Sequence, residues 1–337
     1  MTEFDTMRTM ESPMPWGSAI TAEYDEPQLR GYKAIMVADD IDPDSHGRIS
    51  TMITRFPRCI LPEINTHRVF SRNSASSRAR SVRSTIQSVM DDPYIPLFTI
   101  NHKGMGGDYL HGEELDHASR LWLLARDKAV SSELSLLLGD MYTGDATTVR
   151  DDWNDWIDMY YDKVYHSTDT ISGVPDVHKQ NANRLIEPFM WHEALITSTY
   201  WDNFFTLRID GHAQPEMHAI AVLMKGIMDA SQPRESSFHI PFVSNADMTS
   251  WDTIQSAFME SASECARISY KDRSTSSVKG GDELAMRMLH DGHMSPFEHQ
   301  AVGTEAYHGI YPQVRDYRER SGNLLTGCVG YRHSIGA

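Results

Sequence analysis

Residues 54–82, TRFPRCILPEINTHRVFSRNSASSRARSV, are the stretch on which the reading of the whole chain turns. Between Arg55 and Arg83 stand seven arginines (55, 58, 68, 72, 78, 80 and 83) against one acid, Glu63, which gives a local charge of +6. The chain as a whole carries −16, so everything outside this island carries −22. Guanidinium groups bind phosphate oxygens in a bidentate fork, and serine hydroxyls add neutral donors to the same oxygens. The order His67-Arg68-x-x-Ser71-x-Asn73-x-x-Ser76-x-Arg78 mixes such donors at short spacing. A helix would scatter them, whereas a strand end followed by a loop gathers them around one anion. A solvated basic face, or a set of surface ion pairs, would have the same composition.

Upstream of this island, Lys33–Ala38 (KAIMVA) is an apolar run that predicts a strand, and residues 39–47 (DDIDPDSHG) are dense in turn formers. Arg48–Leu61 alternates and is rich in β-branched residues, which predicts a second strand carrying Cys59 into the core. Residues 1–30 are polar, with Pro13, Pro15 and Pro27 among acids, and read as an N-terminal arm or added cap. Downstream, helical periodicity runs from Glu114 to Tyr165, with Trp153 and Trp156 three apart as core residues. Residues 181–200 read as a further helix interrupted near Pro188, and Pro215 as the first turn of another. Residues 231–241 read as a linker, and Trp251–Tyr270 and Leu284–Leu289 as helices. Long helices with a few strands give an α+β class, with residues 31–337 as a single catalytic domain and a helical insertion over about 100–175.

Composition narrows the function. The chain has 337 residues, of which 40% are hydrophobic and 23% charged. That balance supports a sizeable core. An acidic protein is a poor general ligand for nucleic acid or anionic membrane. Cys59, Cys265 and Cys328 are too few and too scattered for a disulfide framework or an all-cysteine zinc site, which favours a reducing, cytoplasmic setting. The longest strongly apolar stretch covers only positions 219–224. A membrane span needs many more, on the order of 20 residues. The N-terminal residues lack the apolar core of a targeting peptide. There is no GxGxxG after a strand, no P-loop and no HExxH, and the 16 histidines lack a supporting ligand pattern, so no metal is expected.

The island also resembles a known signature. His67-Arg68-x-x-Ser71-x-Asn73-x-x-Ser76-x-Arg78 is similar to that of flavin-dependent thymidylate synthases, which reads Arg-His-Arg, two residues, Ser, one, Asn, two, Ser, one, Arg. Only the first position differs, where this chain has Thr66. A second block, Arg184-Leu-Ile-Glu-Pro188, Asn203-Phe-Phe-Thr-Leu-Arg208 and His212-Ala-Gln-Pro-Glu216, resembles the family's second half. A third, Ala266-Arg-Ile-Ser269 and Gly292-His293-Met-Ser295-Pro-Phe-Glu298-His299, resembles its flavin-binding element. In the family that third block comes first in the chain, so the order here implies a circular permutation, which is sterically cheap where termini lie close together. Bland readings stand beside these: Arg184 as a helix-surface arginine, His212 as a residue preceding a helix start, and Ser295-Pro296 as a helix start with Glu298 in its first turn.

The resemblance implies a thymidylate synthase-like fold with a central antiparallel or mixed sheet flanked by long helices. It implies FAD contacts at Thr66, His67, Arg68, Asn203, His212, Ser269, His293, Ser295 and Glu298. It implies nucleotide contacts at Glu63, Ser74, Ala75, Ser76, Arg78, Arg184 and Arg208, with Arg208 as the catalytic residue that favours ionisation of the pyrimidine. Glu63 stands where the family often has a glutamine contacting the nucleotide. The implied reaction converts dUMP to dTMP with methylenetetrahydrofolate and NADPH as co-substrates, in a homotetramer. Alternatives are a 5-hydroxymethylase of dUMP or dCMP, a dCMP methylase, or a non-catalytic phosphate- or nucleotide-binding module.

Overall fold

The computed structural model describes residues 7–74, 80–101, 103–104, 107–166, 177–243, 251–269, 281–303, 305–306 and 328–330. They form two compact units: the described residues of 7–56, 62–74 and 193–330 make the first, and those of 57–61 and 80–192 the second. The class is α+β, built on a largely antiparallel sheet with several helices.

In the first unit the strands are β1 (Met7–Met14), β2 (Gly17–Tyr24), β3 (Lys33–Ile41), β4 (Arg48–Pro57), β5 (Ser71–Ser74), β6 (Trp191–Ser198) and β7 (Arg234–Glu235). Their order across the sheet is β1-β2-β3-β4-β6-β5, with β7 added parallel to β3. A second sheet has the order β10-β9-β8, from β8 (Phe238–His239), β9 (Ala301–Gly303) and β10 (Cys328–Gly330). The polar arm of the sequence reading thus carries a β-hairpin. Its strands pair in full register from Met7 with Tyr24 to Met14 with Gly17, and β2 continues onto β3. The turn is Pro15-Trp16, and Gly17, which closes it, has a positive φ. That conformation suits a residue without Cβ.

Burial follows position in the sheet. β4 is buried along nearly its whole length and β6 along most of it, so both read as central strands. That explains the main departure from sequence periodicity. Residues 181–200, read as a helix, fold as the end of a four-residue helix, a 3-10 stretch (Asn183–Phe189) and then β6. Pro188 closes the helical path, and the run Ala194-Leu195-Ile196-Thr197 has no polar face for a helix to show water. The linker of the sequence reading likewise supplies β7 and β8. The strand predicted over 48–61 stops at Pro57 and gives way to a 3-10 turn (Arg58–Ile60), which leaves Cys59 exposed rather than in the core.

The helices are α1 (Leu61–Ile64), α2 (Val82–Asp91), α3 (Gly112–Leu138), α4 (Val149–His166), α5 (Lys179–Ala182), α6 (Asp202–Arg208), α7 (Pro215–Ala230), α8 (Trp251–Ala266) and α9 (Gly281–His290). α7 begins at its predicted proline and lays Ala219, Ile220, Leu223 and Ile227 inward against β1, β2 and β3. The Tyr24 hydroxyl donates to the Ala219 carbonyl at 2.8 Å, fixing the helix to the sheet. α8 packs on α9 through a core that includes Ile254, Phe258, Ala262, Ala285 and Phe297.

The second unit is mainly helical. Val82, Ile86 and Val89 of α2 meet Val130, Leu134 and Leu137 of α3 and Ile157 of α4, and Trp153 and Trp156 pack against this core as their spacing suggested. Ser81 caps α2 by accepting the Ser84 N–H at 3.1 Å. Asp127, 1% exposed, holds the bundle electrostatically. Its Oδ1 accepts from Arg126 Nε and Nη2 at 2.9 and 2.7 Å, and its Oδ2 accepts from Arg150 Nε at 2.6 Å.

Removing one member of a buried ion pair strands the other. Arg126 is only 5% exposed. Asp127→Ala should therefore cost about 3–5 kcal/mol. Arg150, exposed on half its side chain, should cost under about 1 kcal/mol when replaced by alanine. Urea unfolding followed by tryptophan fluorescence reads both.

Candidate active site

The turn that follows α1 positions the first motif block. Ile64 is fully buried and anchors it. Thr66 donates through N–H and Oγ1 to the Glu63 carbonyl at 3.0 and 2.6 Å, and the His67 N–H donates to the Ile64 carbonyl at 3.2 Å. Arg72 Nη1 reaches back to the Ile64 carbonyl at 3.2 Å. Phe70, with no exposed surface, then sets the chain on course into β5.

This brings His67 under a lid of aromatic rings. Its imidazole stacks on Phe70 at 5.5 Å and meets the edge of Phe204 at 4.9 Å, and Phe70 touches Trp201. α6 carries Phe204 and Phe205 on its buried side and ends on Arg208, a favourable place for a cation at a helix C-terminus. Arg208 Nε donates to His67 Nε2 at 3.1 Å. A donor on Nε2 requires a lone pair there, so His67 is the neutral Nδ1–H tautomer. Burial is the main force pushing its pKa down to about 4, with the positive charges of Arg208 and Arg72 adding to it. His67 therefore orients the half-buried Arg208 guanidinium without competing as a cation.

The other blocks reach the same unit. Asn73 Nδ2 on β5 donates to the Cys265 carbonyl in α8 at 3.1 Å. β5 also packs on the 3-10 turn Arg267–Ser269 and on the 3-10 turn Ser295–Glu298. Arg68, His293 and Ser295 are exposed, and Glu298 is half-buried. Glu63 is half-buried, and its Oε2 has no hydrogen-bond partner among the described residues. Ser74 ends β5. Three further motif positions are exposed. Asn203 and His212 are exposed, the latter held by Asp210 at 2.8 Å. Arg184 lies exposed on the 3-10 stretch of the second unit. Ala75, Ser76 and Arg78 lie outside the described residues, as does the side chain of Ser269.

The +6 island is not a single anion site. Arg55 donates to the Gly31 carbonyl at 2.9 Å, and Arg72 braces the turn. Arg58 pairs with Glu187 at 2.9 Å, and Arg83 pairs with Asp158 beneath the Tyr161 ring. These four arginines have structural duties, which leaves fewer for a ligand than the count suggested.

Sequence reasoning did not pick out Arg72 as a brace, nor Phe70, Trp201 and Phe204 as the walls around His67. The Phe-x-x-x-Arg spacing of Phe204 and Arg208 was the available signal, since it sets an apolar and a charged group on adjoining turns of α6. A cavity of about 300 Å³ lies elsewhere in the first unit, between Trp16, Val37, Asp40, Arg234 and Phe242, and none of the residues expected from the motifs lines it.

No family model matches the chain, and no curated protein matches it in sequence.

The His67 ring should titrate near pH 4 in a proton NMR titration. Arg208→Ala removes a positive neighbour and should raise that value, yet leave it below 6.5, because burial is the larger cause. The sign for stability follows. The unfolded chain takes up a proton near pH 6.5 while folded His67 stays neutral, so its contribution is complete above pH 6.5 and is lost as pH falls toward 4. His192 and His299, depressed to about 3 chiefly by burial, act in the same direction. Urea midpoints measured between pH 7 and pH 4 should therefore decline.

Proposed function

We propose that this protein is a flavin-dependent enzyme that transfers a one-carbon unit to C5 of a pyrimidine deoxynucleotide monophosphate, with dUMP to dTMP as the leading case. The observation that carries the proposal is the hydrogen bond between His67 and Arg208. It joins two motif blocks 141 residues apart in the chain, and β5 brings the third block to the same unit. Chance resemblance in three separate segments gives no reason for them to fold together.

The side chains at hand have the chemistry that both ligands need. Arg68, Ser295 and His293 offer exposed donors for the phosphates of FAD, and Glu298 offers an acceptor for its hydroxyl or ring N–H groups. Bound flavin would supply the hydride that completes the methyl group, with methylenetetrahydrofolate as carbon source and NADPH as reductant. The protein's own part is orientation and electrostatics. Arg208, held by neutral His67, offers a fixed positive charge to a pyrimidine imide, and so favours the N3 anion that makes C5 nucleophilic. Thr66, in place of the family's arginine, ties its hydroxyl into the turn. A homotetrameric assembly and cytoplasmic location accompany this reading.

Glu63 favours a second reading of the substrate. Its buried Oε2 lacks a partner among the described residues. A carboxylate accepts from an amino group, as at cytosine N4, better than it serves the uracil carbonyl. On that observation, dCMP is the competing substrate, with a methyl or a hydroxymethyl product according to whether hydride or water reaches the methylene intermediate.

Incubation with FAD, NADPH, methylenetetrahydrofolate and either dUMP or dCMP, followed by product mass, decides among these. A methyl gain on dUMP is the expected result, a methyl or hydroxymethyl gain on dCMP moves the assignment to the second substrate, and no product from either base refutes both. Arg208→Ala should lower turnover by at least about 10²-fold, while FAD remains bound.

A further inference from the structure

Five buried side chains from separate segments of the first unit make one continuous chain of hydrogen bonds. Asp40 Oδ2 on β3 meets His239 Nδ1 on β8 at 2.6 Å. His239 Nε2 meets Thr51 Oγ1 on β4 at 2.7 Å. Thr51 Oγ1 meets Thr197 Oγ1 on β6 at 2.6 Å, and Thr197 Oγ1 meets His299 Nδ1, just before β9, at 2.8 Å. None of the five exceeds 2% exposure. At one end, Arg234 Nε donates to Asp40 Oδ1 at 2.9 Å beside the 300 Å³ cavity. At the other, His299 Nε2 is buried and has no hydrogen-bond partner among the described residues. The adjacent Gln300 Oε1 is in the same condition, although its Nε2 is held by Ser261 at 3.1 Å.

We propose that Asp40, His239, Thr51, Thr197 and His299 form a proton relay, through which a proton accepted at His299 Nε2 is stored as charge on His239. The inference does not depend on the flavin reading. Each threonine hydroxyl has one proton, so the chain has two arrangements. In the first, His299 Nδ1–H donates to Thr197, Thr197 to Thr51 and Thr51 to His239 Nε2, while His239 Nδ1–H donates to Asp40. In the second, a proton has bonded to His299 Nε2 and each member has passed one on. The Nδ1–H of His299 has gone to Thr197, the hydroxyl proton of Thr197 to Thr51, and that of Thr51 to His239 Nε2. One proton enters, none leaves, and the charge rests on the imidazolium beside the Asp40 carboxylate.

The relay answers a difficulty at His299. An imidazolium there is opposed by complete burial and by the charge of His239, which hold its pKa at about 3. Handing the charge along the hydroxyls lets His299 accept a proton while remaining neutral. Of the charged groups on or next to β3 and β5 beside this hydrogen-bond chain, most already have partners, although Asp42 Oδ1 is buried without one among the described residues. Asp39 is bound by Arg48, Ser50 and Ser231, Asp42 by Ser45, and Arg72 by main-chain carbonyls. Asp40 and Arg234 are the charged groups in the hydrogen-bond chain at His239.

Long-range ¹H–¹⁵N spectra of the full chain labelled with ¹⁵N-histidine test the relay. His239 and His299 signals are assigned by single replacement with glutamine. In the wild-type protein, His299 should change from the Nδ1–H to the Nε2–H tautomer over the same pH range in which His239 gains its second proton. Thr51→Val keeps the shape and removes the hydroxyl. The His239–Asp40 hydrogen bond should remain, and the tautomer change at His299 should be lost. Should Thr51→Val not fold, Thr197→Val interrupts the same chain one step on. A wild-type His299 that keeps one tautomer while His239 titrates overturns the relay, and so does a tautomer change that survives the valine variant.

Discussion

Two strands, β4 and β6, are buried over most of their length, and every polar side chain they bury has to find its partner inside the protein. An unpaired polar group there costs on the order of 1–3 kcal/mol. Much of the first unit follows from meeting that demand. Thr54 donates to the Ala194 carbonyl across the two strands, Ser50 to Asp39, and Ser198 to the carbonyls of Val69 and Tyr200. Thr51 and Thr197 satisfy each other, then enlist His239 from the second sheet and His299 just before it. The hydroxyls of the central strands thus hold the two sheets in register.

The same strands place the candidate site. The chain leaves the end of β4, makes the short α1 and returns as β5 alongside β6. His67 lies in that return, and Phe70 and Phe204 keep water from it. The ring stays neutral, its Nε2 accepts from Arg208, and a flexible arginine becomes a directed one. Orientation of this kind is what electrostatic catalysis needs, because a charge that must reorganise during reaction stabilises the transition state less.

Legibility in the sequence varied with how local the cause was. The helix starting at Pro215 and the strand over Lys33–Ala38 could be read because one proline or one apolar run suffices. β6 could not, because a strand buried on both faces loses its alternation and looks like any apolar run. Cys59 was misplaced for a related reason: the apolar pattern continues through Ile60 and Leu61, yet the backbone turns after Pro57. Within the site, the motif spacing suggested a strand end followed by a loop, whereas His67 and Arg68 lie in a turn that leads into β5, where Asn73 sits. The partnership of His67 with Arg208 was out of reach, since nothing in either segment encodes the other's position. The arginine count misled in one respect, because charge alone does not tell a ligand-binding guanidinium from one that braces a turn or pairs with Glu187.

Binding of FAD to the purified chain, followed by quenching of flavin fluorescence, tests most directly whether the three converging blocks form one flavin site. Saturable binding is expected, weakened about tenfold by Arg68→Ala and likewise by Ser295→Ala, the size of effect that follows from losing one donor to a charged group. No binding, or binding equally tight in the wild type and both variants, would contradict the account.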